Sequence, residues 1–328
     1  MREKDIRNPR KFDKYLKLLE QDVARFIDYN SLEEINCPCC GKNNFRFEFV
    51  KTGFRYVSCK ACSTLFVNPR PSPNILKSLY SNSASSNFWV NEFFKPVTEA
   101  RREKIFKPRA EFIGKLISKE KKLIIGDIGS GFGLFLWELK KILPGNRYIA
   151  IEPSLAMSRI CKKNGLETIY GYFEGISNKK HQKFDLLTGF ELFEHLFDPA
   201  VFLNKAYSML KPQGFLFLTT LNGQGFDILF LWEKSKSLSP PVHLNFFNPG
   251  SIKILLERSG FDVLEVSTPG QLDWDIVECA AKEKDIDLEK FWNFLAKKGS
   301  RAAKEQLQDW LCRNNLSSHM RIVARRRV

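Results

Sequence analysis

Leu-Ile-Ile-Gly-Asp-Ile-Gly-Ser-Gly-Phe-Gly, residues 123–133, is the stretch that decides the fold of this 328-residue chain. An apolar run ends at Asp127, three glycines then alternate with single residues, and apolar residues return with helical spacing over Leu134–Leu143. The pattern predicts a strand, a tight glycine turn and the start of a helix. Because glycine has no Cβ and tolerates positive φ, such a turn lets the backbone approach a bound ligand closely.

A second acidic residue follows at the distance that a nucleoside site requires. Arg147–Ile151 is predicted to be the next strand, and Glu152 follows it, about 20 residues beyond the glycines. A carboxylate at this strand tip can accept hydrogen bonds from both hydroxyls of a ribose. Residues 127–133 have the spacing Asp-x-Gly-x-Gly-x-Gly, with Leu134 where a dinucleotide fingerprint has its last glycine. This spacing resembles the motif of class I S-adenosylmethionine (SAM) dependent methyltransferases.

Three later segments are similar to the methyltransferase families that include the ubiquinone-pathway O-methyltransferases. They are Phe-Glu-Leu-Phe-Glu-His-Leu-Phe-Asp-Pro (190–199), Leu-Lys-Pro-Gln-Gly (210–214, a predicted turn) and Leu-Thr-Thr-Leu-Asn (218–222). The resemblance covers about residues 105–270. It implies an α/β fold, a doubly wound, Rossmann-like sheet of seven strands. The last strand is then expected at His319–Arg325, after a helical insertion at about residues 273–316.

The resemblance also assigns residues to the cofactor. Asp127 and the glycine turn would hold the methionine part of SAM, while Glu152 would hold its ribose. In similar enzymes the position of Phe173 and Glu174 contacts the adenine edge, although an ordinary loop acid is the alternative at Glu174. The predicted cofactor-binding residues are Asp127, Gly129, Ser130, Gly131, Gly133, Glu152, Phe173, Glu174 and Phe190.

The segment after the predicted fourth strand is expected to activate the methyl acceptor. On a helical turn Glu191, Glu194 and His195 would share one face. Two carboxylates and an imidazole suit Mg²⁺, Mn²⁺ or Zn²⁺. Some ubiquinone-pathway and small-RNA 2′-O-methyltransferases are similar here and add a further histidine ligand, which His243 would match. Three roles stay open for His195, which we predict to be catalytic together with Glu194: metal ligand, general base, or a packing residue.

Two Cys-x-x-Cys pairs predict a zinc ribbon before this domain. Cys37 and Cys40 are separated from Cys59 and Cys62 by 18 residues that alternate as in a β-hairpin. Four thiolates close a tetrahedral Zn²⁺ site with no open position, so this zinc is expected to be structural. Cys39 is either a spare thiol or a register alternative, and a redox role is the alternative for either pair.

The predicted organisation has four parts. An N-terminal helical segment (1–36) precedes the ribbon (37–68), a helical linker or lid (69–118) and the methyltransferase domain (119–328). Within the linker, residues 74–80 are predicted to be helical, residues 81–87 to form a serine-rich break, and residues 99–118 to be helical again.

Composition and charge limit the environment and the partners. Charged residues at 27% and hydrophobic residues at 43% describe an ordinary globular protein, whereas a net charge of +15 favours an anionic partner. No apolar run approaches the ~20 residues that span a bilayer, and the charged start has no signal-peptide pattern. A cytoplasmic location and no membrane partner are therefore expected. His181 and His319 are predicted to be isolated surface or strand residues.

The leading interpretation is a SAM-dependent methyltransferase that O-methylates a small hydroxylated or anionic metabolite, such as a sugar or nucleotide sugar. The alternative is an RNA methyltransferase whose ribbon and basic surface dock RNA. A third class is a non-enzymatic scaffold, which the intact glycines and Glu152 oppose. The expected cofactors are SAM, a structural Zn²⁺ and, if the Glu-x-x-Glu-His corner binds metal, a second divalent cation.

Overall fold

Helices alternate with strands through the centre of the chain in this computed structural model, which describes residues 2–117, 122–177, 183–284 and 286–328. The strands are β1 Phe45–Lys51, β2 Phe54–Cys59, β3 Leu65–Val67, β4 Ile124–Ile128, β5 Arg147–Glu152, β6 Glu167–Tyr170, β7 Phe184–Phe190, β8 Leu210–Leu221, β9 Asn245–Phe246, β10 Phe261–Ser267 and β11 His319–Arg326. The α-helices are α1 Glu3–Ile6, α2 Pro9–Phe26, α3 Pro73–Asn82, α4 Ala84–Phe88, α5 Thr98–Arg101, α6 Lys107–Leu116, α7 Leu134–Ile142, α8 Leu155–Lys163, α9 Pro199–Met209, α10 Phe226–Leu231, α11 Pro249–Arg258, α12 Asp273–Lys284, α13 Glu289–Lys298 and α14 Arg301–Arg313.

Seven strands form the larger sheet in the order β10-β11-β8-β7-β4-β5-β6. The strands from β4 to β8 pair in parallel, and β11 pairs antiparallel with both β8 and β10. The predicted doubly wound sheet is therefore confirmed, including its antiparallel last strand. The chain leaves β4 toward β5 on one side and returns to β7 on the other. A crevice consequently opens at the carboxyl ends of β4 and β7, where such folds bind ligands.

The glycine turn joins β4 to α7 as the sequence predicts. Gly129, Gly131 and Gly133 have φ values of 69°, 56° and 74°, in the left-handed region that favours glycine. A Cβ added at Gly133 would collide with the side chain of Leu166, whereas one added at Gly131 would meet nothing within 4 Å. Gly133 is thus needed for packing, while Gly131 faces open space.

The cysteine-rich segment, residues 37–68, is built into the rest of the molecule; we call it the ribbon. Its strands β1, β2 and β3 form a second sheet in the order β1-β2-β3-β9, with antiparallel pairing throughout. The predicted hairpin is confirmed, and the fourth strand comes from a distant part of the chain. Phe66 of β3 lies in the same buried cluster as Ile128 of β4 and Leu218 of β8.

The linker before β4 differs from the prediction in two places. The predicted break at residues 81–87 contains α4, because the Ser83 side chain accepts a hydrogen bond from the Ser86 amide at 3.0 Å and caps a new helix. The predicted helix at 99–118 consists of α5, a π-helical segment at Arg102–Phe106, and α6. Residue 118 and the predicted domain boundary after it lie outside the described residues.

Two features lie toward the C-terminus. Helices α12, α13 and α14 form the predicted insertion between β10 and β11. The turn predicted at residues 211–214 instead lies inside β8, where Gln213 has a φ of 63°. The pairing of β7 with β8 shifts register nearby, so an irregularity in the strand absorbs the glycine-containing segment. Within the described ranges, no helix combines the length and apolar character needed to cross a membrane.

Candidate active site

Glu152, at the end of β5, is held against the glycine turn by two backbone amides. Its Oε2 accepts a hydrogen bond from the Gly131 amide at 2.7 Å, and its Oε1 accepts one from the Ser154 amide at 2.8 Å. Burial to 4% exposure raises the pKa of Glu152 to about 7, although both amide hydrogen bonds lower it. Because a carboxylate has about four acceptor sites, about two remain for a diol such as ribose.

Asp127 and Ser130 stabilise the glycine turn through hydrogen bonds. Thr188 of β7 donates a hydrogen bond to Asp127 Oδ1 at 2.6 Å, and burial raises the pKa of Asp127 to about 7. The Ser130 hydroxyl donates to the carbonyl of Asp127 and accepts from the Ile151 amide at 3.1 Å. The side chain of Ser130 therefore ties the turn to β5. Open space at Gly131 next to the fixed carboxylate of Glu152 fits a nucleoside cofactor.

The other predicted cofactor-binding residues lie in different parts of the structure. Phe173 lies in a 3₁₀ turn that directs its ring into the core, 5.3 Å from the ring of Phe202, while Glu174 is exposed. The contact of this position with the adenine edge stays a prediction. Phe190, at the end of β7, is half-buried, and the guanidinium of Arg109 lies 4.9 Å above its ring.

Glu194, His195 and His243 come together beyond the end of β7. One potential ligand atom from each lies within 4.8 Å of the others. His195 Nδ1 lies 2.8 Å from the carbonyl oxygen of Val242, and His243 Nδ1 lies 2.6 Å from that of Ser237. Because a carbonyl oxygen only accepts hydrogen bonds, each Nδ1 carries the proton and each Nε2 presents its lone pair. We call these three residues the acceptor corner.

Burial sets the charge of the acceptor corner. It lowers the pKa of His195, and it lowers that of His243 to about 3, so both rings are neutral at pH 7. Burial also raises the pKa of Glu194 to about 8, with the charge of Glu191 adding to the effect. Metal-binding histidines typically donate their second ring N–H to a carbonyl or carboxylate. Two such rings beside a carboxylate are a suitable ligand set for a divalent cation.

Glu191 does not join the acceptor corner, contrary to the prediction. Its φ is 49°, in the left-handed region, and the 3₁₀ turn that follows covers only Phe193–His195. Glu191, Glu194 and His195 consequently do not share the regular helical turn on which the prediction rested. Glu191 instead accepts hydrogen bonds from Arg109 at 2.6 Å and from Thr219 at 2.8 Å.

A third histidine, His319, lies beside Glu191, with Nε2 3.6 Å from a carboxylate oxygen. The prediction that His319 is isolated is therefore wrong, because β11 inserts next to β8 and brings its first residue to the crevice. Burial opposes ionisation of Glu191, but His319 and Arg109 lower its pKa to about 2. The other histidine predicted to be isolated, His181, lies outside the described residues.

Basic residues near Glu191 were missed by sequence reasoning. The Arg101 guanidinium lies 4.7 Å above the ring of Phe94, and its Nε atom is buried without a hydrogen-bond partner in the described structure. Burial, together with repulsion from Arg7 and Arg109, lowers the pKa of Arg101 to about 10. These arginines come from the N-terminal segment and the linker, where no motif marks them.

The four predicted zinc ligands of the ribbon are close together. The sulfur atoms of Cys37, Cys40, Cys59 and Cys62 lie within 4.8 Å of one another. The distances from Cys37 to Cys62 and from Cys40 to Cys59 are 3.5 Å, near the roughly 3.8 Å edge of a tetrahedral Zn–S₄ site. The Cys39 thiol donates instead to the carbonyl of Ser251 at 3.0 Å. Cys40 rather than Cys39 therefore belongs to the four-sulfur set.

Known proteins match the central part of the chain. Residues 97–266 match a family model described as a methyltransferase domain. The ubiquinone biosynthesis O-methyltransferase of Hydrogenovibrio crunogenus is 29% identical over 169 residues, covering 48% of this chain and 69% of that protein. The enzyme of the same name from Bartonella tribocorum is 28% identical over 155 residues, covering 44% and 62%.

Solved structures are similar to this chain in fold. One of them is the complex between the Haloferax volcanii Trm112 methyltransferase activator and a putative methyltransferase, a chain of which is matched with a TM-score of 0.51 and 14% identity. The match covers 73% of this chain and 96% of that chain. At this identity the likeness concerns the fold alone.

Proposed function

Because this chain belongs to the methyltransferase domain family and is a class I SAM-dependent methyltransferase, we propose that it methylates a hydroxyl group of a small, anionic metabolite. Methyl transfer from a sulfonium is an in-line displacement, so the enzyme mainly positions the acceptor and prepares its lone pair. A hydroxyl needs more preparation than an amine, because its proton must leave. The acceptor corner is the observation that carries the proposal.

SAM supplies the electrophilic methyl group. On the cofactor side, Glu152 would accept hydrogen bonds from the ribose, in the orientation that its two amide partners already fix. The open space at Gly131 lets the turn approach the methionine part. The opening between β4 and β7 would aim the methyl group toward the residues after β7.

On the acceptor side, His195 and His243 would hold a divalent cation through Nε2, with Glu194 as the third ligand. Such a cation would lower the pKa of an adjacent hydroxyl by its charge. The carbonyls of Val242 and Ser237 keep both rings in the required tautomer. In the absence of a cation, His195 Nε2 is the atom best placed to accept the acceptor's proton.

The charge around Glu191 supports an anionic acceptor. Arg101 and Arg109 face this single carboxylate, and the Arg101 Nε atom has no partner within the described part of the chain. A phosphate or carboxylate on the acceptor would supply hydrogen bonds to Arg101 and reduce the repulsion between the two guanidinium groups. This favours a sugar phosphate or nucleotide sugar over an uncharged sugar.

The ribbon would bind one structural Zn²⁺ through Cys37, Cys40, Cys59 and Cys62.

The RNA alternative has less support than the net charge alone suggests. Arg321 and Arg327 near the C-terminus form ion pairs with Glu265 and Asp262 of the neighbouring strand rather than a free basic tail. RNA therefore becomes one arm of the test.

The test is a screen for consumption of SAM by the full chain, with Mg²⁺ or Mn²⁺, over nucleotide sugars, sugar phosphates, the matching neutral sugars and mixed RNA. We expect turnover with a hydroxylated anionic small molecule and its loss in Glu194→Gln. Glu257→Gln, an exposed glutamate on α11, is the matched control and should behave as the parent. Turnover restricted to RNA, or to amines, would overturn the proposal.

A further inference from the structure

We propose that the ribbon positions the acceptor corner, and that Arg70 is the central positioning residue. The inference rests on the proposed role of His195 and His243 in acceptor activation. In this role the ribbon is neither a surface that docks substrate nor a separate module that zinc stabilises. Hydrogen bonds lead from the ribbon to the two histidines.

The first connection is a shared strand. The residues directly after His243 form β9, which is the fourth strand of the ribbon's sheet. Leu65 pairs with Phe246 and Phe66 with Asn245, and the Val67 amide donates to the carbonyl of Leu244 at 2.9 Å. The backbone that carries His243 is therefore continuous with the ribbon.

The second connection is Arg70, a fully buried arginine (0% exposed) just beyond β3. Its Nε donates to the carbonyl of Val67 at 3.0 Å. Nη1 donates to the carbonyl of Phe197 at 3.0 Å and to Asn245 Oδ1 at 3.1 Å, and Nη2 donates to the carbonyl of Leu244 at 3.4 Å. One planar side chain thus joins the ribbon, β9 and the chain just after His195.

Burial lowers the pKa of Arg70 to about 9. The hydrogen-bond acceptors named above are all carbonyl or amide oxygens, and none belongs to a carboxylate. An ion pair would be the simplest way to keep a buried cation. A cation directed at backbone carbonyls instead fixes the relative position of the segments that carry them, which is what a positioning residue requires.

Asn245 and Leu244 extend the network into the acceptor corner. Asn245 Nδ2 donates to the carbonyls of Leu196 at 2.7 Å and Phe193 at 3.3 Å, on either side of Glu194 and His195. The Leu244 amide donates to the carbonyl of Glu194 at 2.7 Å. These hydrogen bonds therefore attach the 3₁₀ turn that carries Glu194 and His195 to the segment of β9, which follows His243 in the chain.

Two tyrosines, the buried Tyr56 and the partly buried Tyr80, complete the connection. Tyr56 of β2 donates to the carbonyl of His243 at 3.5 Å. Tyr80 of α3 donates at 3.0 Å to the carbonyl of Val242, the same oxygen that accepts the Nδ1–H of His195. A shift of the ribbon or of α3 would consequently move a hydrogen-bond partner of each histidine.

The two turns that carry the cysteines contact the C-terminal part of residues 244–258. Asn248, which caps α11, donates through Nδ2 to the carbonyl of Cys62 at 3.0 Å. Arg258 at the end of α11 donates to the carbonyl of Cys39 at 2.7 Å. Residues 244–258 are thus held by the ribbon at β9 and along α11, and His243 directly precedes them. Displacements of about 1 Å can lower rates about 100-fold, so such fixation is consequential.

The chain has only four histidines, so their ring signals can be followed directly by long-range ¹H–¹⁵N NMR and assigned with single His→Gln variants. Arg70→Lys keeps the charge but loses the planar fork. We expect the signals of His195 and His243 to shift or to report a second tautomer, while the signals of His319 and the affinity for SAM stay unchanged. Arg46→Lys makes the same substitution at an exposed arginine of β1, whose side chain pairs with Glu48; it is the control and should leave both signals in place.

A second variant tests the proposed positioning role if Arg70→Lys fails to fold. Asn245→Asp keeps the acceptor for Arg70 but loses the donors to Leu196 and Phe193, and it should perturb the His195 signal. Adding guanidinium ion to Arg70→Ala should move the signals back toward those of the parent. Unchanged His195 and His243 signals in the folded variants would overturn the positioning role. Failure of the parent to bind SAM would overturn the proposed function instead, and the two results are read independently.

Discussion

The guanidinium of Arg109 and the carboxylate of Glu191 form a 2.6 Å ion pair that links α6, before the first strand of the larger sheet, to the residue that follows β7. The same guanidinium lies 4.9 Å above the ring of Phe190. Arg109 therefore contacts two consecutive residues at the carboxyl end of β7. The partners of the ion pair are about three-quarters buried, so its contribution to stability should be measurable.

We expect Arg109→Gln to lower the free energy of unfolding by about 1.5–3 kcal/mol, the range for a hydrogen bond to a charged group. The cause is the largely buried carboxylate of Glu191, which would lose its guanidinium partner. The double variant Arg109→Gln/Glu191→Gln should recover much of this loss, because no unpaired charge remains. Urea denaturation of the four proteins in this cycle measures the coupling. Strict additivity would show that the pair contributes nothing.

Glu152→Gln should weaken SAM binding by about 10- to 100-fold, because charge-assisted hydrogen bonds to the ribose become neutral ones. With a pKa of about 7 in the free protein, Glu152 is largely protonated at pH 6 and largely ionised at pH 8. Affinity for SAM in the parent should therefore rise across this interval, and the rise should be smaller in the variant. Calorimetry at several pH values measures both.

Glu174→Gln is the matched comparison for that experiment. Glu174 is exposed beside the buried Phe173, and we expect its substitution to change SAM affinity less than threefold. A loss comparable to that of Glu152→Gln would instead support the predicted contact with the adenine edge.

The fold could be predicted from the sequence because its signals are local. The apolar run before Asp127, the alternating glycines and the apolar stretch before Glu152 each specify one strand or turn within a few residues. The antiparallel last strand could be placed because His319–Arg325 alternates and no better candidate follows β10. The same locality identified the ribbon, since two Cys-x-x-Cys turns need no distant partner to be recognised.

The acceptor corner could be predicted only in part, because its geometry depends on non-local contacts. The helical spacing of Glu191 with Glu194 failed where a left-handed residue interrupts the turn. His319 and Arg109 reach Glu191 from β11 and α6, and no short motif encodes that convergence. The hydrogen bonds of Arg70 are likewise invisible in sequence, since its acceptors are three backbone carbonyls and the distant side chain of Asn245.

Cys37→Ser should lower zinc retention, whereas Cys39→Ser should retain one Zn²⁺ per chain. Only the first removes a sulfur atom from the four-sulfur set; a serine at position 39 can still donate to the carbonyl of Ser251. Metal content after challenge with a chelator, measured by elemental analysis, separates the two variants. Equal zinc content in both would exclude Cys37 from the ligand set.

The acceptor corner should bind Mn²⁺, a paramagnetic probe for a divalent cation. We expect His243→Gln and Glu194→Gln to reduce the affinity for Mn²⁺ at least tenfold, because each removes one of three protein ligands. His319→Gln alters a histidine outside this set and should leave Mn²⁺ affinity unchanged. Electron paramagnetic resonance titration of free Mn²⁺ gives the affinities of the parent and of the three variants. Parent-like binding in both ligand variants would place the cation elsewhere.

Protonation of the buried Asp227 carboxyl group should make the stability of the protein depend on pH. Its carboxyl group is 0% exposed, and burial, with the charge of Asp273 adding to the effect, raises its pKa to about 8. The Ser318 hydroxyl donates to one of its oxygens. An unfolded aspartate has a pKa near 3.9, so between about pH 4 and pH 8 the folded chain keeps a proton that the unfolded chain releases. The contribution of Asp227 to stability therefore falls as the pH rises through this window and levels off above it.

Asp227→Asn removes this titration while keeping an oxygen to accept from Ser318, so the variant should gain stability relative to the parent as the pH increases from 5 to 8. The upper limit of the gain is about 1.4 kcal/mol per pH unit, because one proton is involved. Asp262→Asn, on an exposed carboxylate paired with Arg327, is the control and should follow the parent's pH profile. Urea denaturation of the three proteins at pH 5, 6, 7 and 8 measures the slopes. Parallel profiles for the parent and Asp227→Asn would mean that Asp227 is ionised in the folded protein despite its burial.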